Sequence, residues 1–251
     1  TGTGFRVVTG GGVLTNVNGG NYIYVAIRRP DGAVGKPVEA GTNVFAMTTG
    51  RSGTLPNYQG GIVVDYQITK ETNASNSFYT GGRLIGTNYL KTDATAAEAV
   101  SSTWLYDYMD GYNTGSGDSD WQSWQWKRHA GFDVQTYTGI SGTQTRAHQM
   151  GVTPEMIWVK CRTGPNDQWA VGHKDLTGGW TSKYLMLNDT SAEISGDQFA
   201  IAPTSTHWST ASGGLTNNNN GQYIAMLFAS VDGISKVGYY TGTGNNQSVT
   251  T

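Results

Sequence analysis

Apolar and polar positions alternate with a period of two in three stretches built on one plan: 22–32 (YIYVAIRRPDG), 121–131 (WQSWQWKRHAG) and 223–233 (YIAMLFASVDG). In the first, Ile23, Val25 and Ile27 alternate; in the third, Ile224, Met226 and Phe228; in the second, Trp124 and Trp126 stand at matching places. Such a period predicts a strand laid on a core. The opposite face (Tyr22, Tyr24 and Ala26, or Tyr223, Ala225 and Leu227) is apolar too, which predicts a central strand covered in places on both sides. Gln122 breaks the pattern at one matched site and is expected at a sandwich edge.

Further phrases recur in the same order between these three. The stretches 41–50 (GTNVFAMTTG), 131–139 (GFDVQTYTG) and 233–242 (GISKVGYYTG) share an apolar centre and end in Thr-Gly. The stretch 61–70 (GIVVDYQITK) matches 151–160 (GVTPEMIWVK), and 89–98 (YLKTDATAAE) matches 184–193 (YLMLNDTSAE). All read as strands, with Pro154 near a strand start, where a missing N–H is tolerated. Only 94–100 has a helical look, a single turn at most, and its counterpart 190–195 is weaker. The runs 10–12 and 217–221 (NNNNG) predict turns, since Gly and Asn accept positive φ. Many strands and no long helix predict an all-β chain of antiparallel sandwiches. A repeat of roughly 100 residues predicts two tandem units, 1–130 and 131–251, each closing its sheet with strands from both ends. Residues 1–32 resemble the second half of a unit and 233–251 the first strand of a following repeat. The chain is therefore expected to be a piece of a longer array.

Composition narrows the function. Charged residues make up 14%, against an ordinary share of about 25%. Gly is abundant, at 36 of 251, while aromatics at 11% supply bulk for real cores and exclude disorder. The net charge is -2 with no basic run, so the attraction that nucleic acid requires is missing. No apolar run approaches the about 18 residues of a membrane span. The single cysteine, Cys161, cannot form an internal disulfide.

Candidate chemistry is sparse. Asp107, Asp110, Asn113, Asp118 and Asp120 bring oxygen ligands onto one Gly-rich stretch, as calcium requires. Their spacing is not that of an EF-hand, and the matching region 205–220 has no carboxylate. The competing reading is a solvated loop whose Asp residues cap turns. Of eight tryptophans, Trp124, Trp126, Trp158 and Trp169 fall on strand-like phrases and are expected in cores. Trp180 (GGWTS) and Trp208 (THWST) sit in turn-like contexts, where a ring could stack on a sugar. His129, His148, His173 and His207 form no HExxH pattern and do not suggest zinc. No GxSxG elbow is present. Glycan hydrolysis needs two flanking carboxylates. The close pair is Asp118 and Asp120; Asp65 with Glu155, and Glu98 with Glu193, recur in both units and read as turn or cap features. Cys161 has Glu71 as its counterpart, which excludes a shared thiol mechanism.

The phrases YIYVAIRRPDG, GFDVQTYTG, GVTPEMIWVK, YLMLNDTSAE and YIAMLFASVDG with SKVGYYTGTG, in that order, resemble a repeat of virion structural, tail-fibre-like proteins of marine bacteriophages. The resemblance is clearest over 131–244 and weaker over 101–120. It implies concanavalin-type or jelly-roll sandwiches, exposure on the virion, and no enzymatic activity. Expected partners are other virion proteins, further copies of the chain (a trimer is one arrangement) and a host surface glycan; nucleic acid and membrane are not expected. No cofactor is implied. The rival readings are a bacterial cell-surface lectin or adhesin, a polysaccharide-degrading enzyme, and a purely architectural module.

Overall fold

A computed structural model describes residues 40–249 other than 116, 165, 166, 245 and 247. The phrase at 22–32, the half-unit 1–32 and the turn at 10–12 lie outside the described residues. The first unit contains β1 (Phe45–Thr49), β2 (Tyr58–Gln59), β3 (Tyr66–Glu71), β4 (Tyr79–Gly82), β5 (Asn88–Lys91), β6 (Ala99–Val100), β7 (Gly111–Tyr112) and β8 (Trp121–Trp126). The second contains β9 (Phe132–Thr138), β10 (Gln144–Ala147), β11 (Met156–Cys161), β12 (Ala170–His173), β13 (Lys183–Met186), β14 (Ile194–Ser195), β15 (His207–Thr210) and β16 (Gln222–Phe228).

The protein is all-β, and its two units are copies in topology, strand for strand. The first forms a six-stranded sheet ordered β1-β8-β3-β4-β5-β6 and a ribbon β2-β7. The second repeats it as β9-β16-β11-β12-β13-β14 with the ribbon β10-β15. All pairings are antiparallel, and in each unit the first strand lies beside the last. Register fixes the equivalences: Tyr66 pairs with Trp126 as Met156 pairs with Phe228. The recurring phrases at 41–50, 61–70, 121–131 and their partners therefore became the same strands in both copies.

Three expectations are corrected. The stretch 94–100 holds no helical turn; it ends in β6, where Ala99 and Val100 pair with Tyr89 and Asn88. Ladder bonds to β5 outweigh the weak helical preference of a short Ala-rich run. Residues 233–242 form no strand, despite their likeness to β1 and β9. Gln122 lies on β8, between β1 and β3 rather than at an edge, and its amide donates to the Thr48 carbonyl at 3.0 Å. The turn at 217–221 is present, with Asn220 at φ 62°.

Each six-stranded sheet buries one face under its own ribbon and loops. In the first unit Val64, Trp104, Tyr106 and Tyr112 form that core. In the second, Ile157, Val159, Trp180, Phe199, Trp208 and Leu227 do so. The remaining faces meet each other. Tyr66, Ile85 and Leu90 of the first unit pack with Phe132, Val134, Trp169, Ile224 and Met226 of the second in one continuous cluster. Strand β16 is therefore apolar on both faces because both are covered: Ile224 and Met226 look into the shared core, Tyr223, Ala225 and Leu227 into the unit's own.

The strap 92–98 ties the units further. Trp169 Nε1 donates to the Lys91 carbonyl at 2.9 Å, and the Glu98 N–H donates to the Arg162 carbonyl at 2.7 Å. Arg162 holds the Glu98 carboxylate through Nε at 2.8 Å and a terminal nitrogen at 3.1 Å. Lys160 is wholly buried and donates to the carbonyls of Thr95 and Asp167. Burial lowers its pKa, and these carbonyls satisfy the ammonium.

Asp133, on β9, gives the fold a pH dependence. Burial raises its carboxyl above the ordinary range, outweighing the hydrogen bond from Gln135 and the charge of Arg128. A raised folded-state pKa means that the fold prefers the protonated form. The residue's contribution to stability therefore falls as pH rises from about 3.9 through the folded value, then levels off. In urea titrations at several pH values, Asp133→Asn is expected to gain on the wild type across that rise. A difference that stays flat with pH would contradict this account.

Candidate ligand cleft

The face that the first unit's sheet turns toward its own ribbon carries polar residues where the second unit carries apolar ones. Gln67 and Thr69 on β3 pair with Gln125 and Ser123 on β8. The equivalent positions on β11 and β16 are Ile157 and Val159, paired with Leu227 and Ala225. All eight side chains are buried. In the first unit they form a network: the Thr69 hydroxyl donates to Gln67 Oε1 at 3.0 Å, as does the Tyr112 hydroxyl at 3.0 Å. Tyr112 also bonds Ser123 Oγ at 2.8 Å. Burial raises the pKa of the Tyr106 and Tyr112 phenols, which keeps both neutral. Gln125 Oε1 is buried without a hydrogen-bond partner among the described residues.

The network reaches a cleft of about 400 Å³ through Thr69. Its aromatic side is a ladder of rings: Trp121 to Tyr79 at 5.9 Å, Tyr79 to Tyr89 at 5.7 Å, Tyr89 to Trp104 at 5.1 Å. Trp104 is buried, while Tyr79, Tyr89 and Trp121 are half-buried. Thr103, Thr114 and Asn76 supply hydroxyl and amide groups. The ladder is seated on Gly81, where a Cβ would stand 2.8 Å from the Trp104 ring and 2.5 Å from the Tyr106 hydroxyl. An adjoining hollow of about 850 Å³ shares Asn76, Thr103, Thr114 and Trp121 with the cleft and extends to Arg51, Glu71 and Asp118.

The second unit closes the same place. Its counterparts of Thr69, Tyr79, Tyr89, Trp104 and Trp121 are Val159, Ala170, Tyr184, Phe199 and Tyr223, and all are buried. Gly172 takes the place of Gly81, and a Cβ there would meet the rings of Phe199 and Trp180 at 2.6 and 2.7 Å. Trp180 thus fills the space with an edge-on ring against Phe199. Tyr223 stacks on Tyr137 at 5.0 Å, and its hydroxyl accepts from the Asn218 N–H at 2.7 Å.

Trp180 and Trp208, expected as exposed stacking rings, are core residues at 8% and 1% exposure, so neither offers a face to a ligand. Trp208 donates through Nε1 to Gln135 Oε1 at 2.9 Å and lies edge-on to Tyr137. Turn-like flanking residues misplaced them: β15 carries Trp208 as an inward residue, and a loop drops Trp180 onto Gly172. The expected calcium ligands do not converge either. Asp107, Asp118 and Asp120 are exposed, and among the described residues no three His, Cys, Asp or Glu side chains gather. Asp118 Oδ1 accepts from the Asp120 N–H at 3.1 Å, an Asx turn, and Asp110 accepts from the Gln59 amide. Of the repeated carboxylates, Asp65 and Glu155 are caps, while Glu98 is paired with Arg162. Asp65 accepts from the Arg128 N–H at 2.7 Å and Glu155 from the Ser230 N–H at 2.9 Å, each clamping the turn after its unit's last strand. The ring ladder was missed because its residues scatter over four phrases. The detectable signal was the polar substitution of one copy's inward positions, visible when 61–70 is laid on 151–160.

Residues 61–250 match the model of a domain of unknown function, DUF7483, a span that reaches from the entrance of β3 across the second unit. No curated protein matches the chain, and no solved structure does.

Proposed function

The chain belongs to the DUF7483 family, whose function is unknown, and from that premise we propose a non-enzymatic recognition module of a bacteriophage virion structural protein. In this reading it stands on the particle surface, as part of a tail fibre or a decoration, and contacts glycans of the host surface. The observation that carries the recognition role is the cleft: half-buried aromatic rings beside hydroxyl and amide groups, on a scaffold braced by its own duplicate. Recognition groups are commonly held by loops and edges of a rigid scaffold. The virion assignment rests on the resemblance of the recurring phrases to tail-fibre-like repeats. Other virion proteins and further copies of the chain are its expected partners there, since repeated modules let weak contacts act together.

Incubating the protein with surface polysaccharide extracted from candidate host bacteria tests this reading. The expected result is retention of the protein on immobilised polysaccharide with no sugar released. Release of reducing sugar, abolished by replacing Asp118 or Asp120, would replace it with a polysaccharide-degrading enzyme.

A further inference from the structure

Building on the reading of the cleft as a glycan site, we infer that it takes an uncharged oligosaccharide, one per chain, along the ladder Trp121–Tyr79–Tyr89. Three observations lead there. First, the walls alternate ring faces with Thr and Asn side chains. Pyranoses present apolar C–H faces and hydroxyl edges, and this pairing of surfaces suits them; the stacked ring takes the face and the polar groups orient the edge. Successive rings are inclined by 45° and 62° to one another, so the wall is not the single flat surface on which a lone base would stack.

Second, the charged groups near the cleft are already engaged by the protein, including Lys91, whose Nζ lies over the Tyr79 ring at 5.3 Å. The Arg51 guanidinium donates to Gln59 Oε1 at 2.6 Å and to the Pro56 carbonyl. Lys70 donates to the carbonyls of Ala74 and Asn76, and Glu71 accepts from the Asn76 amide. The rim carries both signs, with Arg51 facing Glu71 and Asp118 around one hollow. A sulfated or uronic-acid chain would meet those carboxylates while Arg51, Lys70 and Lys91 are held by protein groups of their own.

Third, the duplication supplies an internal control. The second unit keeps the topology with an apolar inward face, so the fold does not require Gln67, Thr69, Ser123 and Gln125. Burying them costs stability unless every group is satisfied, and among the described residues Gln125 Oε1 finds no partner. Departures of this kind from the stable pattern concentrate at functional sites. The closed second cleft fixes the stoichiometry at one.

Calorimetric titration of the intact chain decides the matter, using neutral hexasaccharides of glucose, mannose and galactose beside hexuronate and sulfated galactose oligomers. At least one neutral hexasaccharide should bind with a stoichiometry of one. Tyr79→Ala and Thr69→Val should each weaken it tenfold or more. Both substitutions copy residues the second unit holds at those places, Ala170 and Val159, so folding can be checked by an unchanged thermal midpoint. Trp121→Ala provides a third variant should either fail that check. Binding confined to the charged oligomers, two equivalents per chain, or affinity indifferent to all three substitutions would overturn the inference while leaving a glycan-contacting module in place. Absence of binding to every saccharide, neutral and charged, would overturn both.

Discussion

Phe132→Ala is expected to lower the unfolding free energy by about 3–5 kcal/mol, and to do so for both units in a single transition. Phe132 is 1% exposed on β9 and meets rings from both sides of the shared core: Phe228 at 5.2 Å in its own unit, Tyr66 at 6.1 Å and Trp126 at 6.2 Å in the other. Removing the ring leaves a cavity between two rigid sheets, which cannot close over it without sliding past each other. The coupling follows from the same geometry. A second unit freed from the first would expose Phe132, Val134, Ile224 and Met226 together, so neither sheet keeps its stability when the other melts. Guanidinium denaturation of wild type and variant, followed by tryptophan fluorescence and by far-ultraviolet dichroism, checks this. Two separated transitions, or a loss below about 1 kcal/mol, would show that the units fold independently despite their contact.

Trp208→Ala is the second large effect, about 3–5 kcal/mol, and it separates a core role from a binding role. The ring is 1% exposed, edge-on to Tyr137, with Arg146 5.2 Å from its centre. Its loss strips Gln135 Oε1 of the indole donor and removes one of the two rings around the Arg146 guanidinium, whose pKa burial already lowers. Saccharide affinity at the first unit's cleft should be unchanged in buffer where the variant remains folded. A variant with wild-type stability and lost saccharide binding would return Trp208 to the role its flanking turn residues suggested.

The difference between Trp208 and Tyr79 explains how much of this protein was legible from its residues. The strands were readable because alternation is a local property: YIAMLF could hardly be anything but a strand apolar on both faces, and β16 is buried on both. Matching phrases also carried the two-unit plan, because equivalent strands kept their apolar positions. What alternation does not encode is which surface covers each face. The face-to-face packing of the units depends on Tyr66, Phe132 and Trp169, which lie far apart in sequence and become neighbours only once both sheets exist. The cleft was hidden for a related reason. Whether an aromatic ring is floor or filling depends on what covers it: Tyr184 is buried, while its counterpart Tyr89 is only half-buried. Residues 233–242 mislead in the other direction, since a strand-like phrase pairs only where a ladder is available to receive it.

The shared core also limits how such a protein can grow. Each sheet has spent one face on its ribbon and the other on its sister, so the pair is saturated. A lone added copy would arrive with an apolar face and nothing to lay it against, whereas an added couple would bring its own cover. Lengthening by duplication is therefore constrained by parity. Its natural increment is a dimer written in one chain, in which one member is free to diverge toward a ligand while the other preserves the fold.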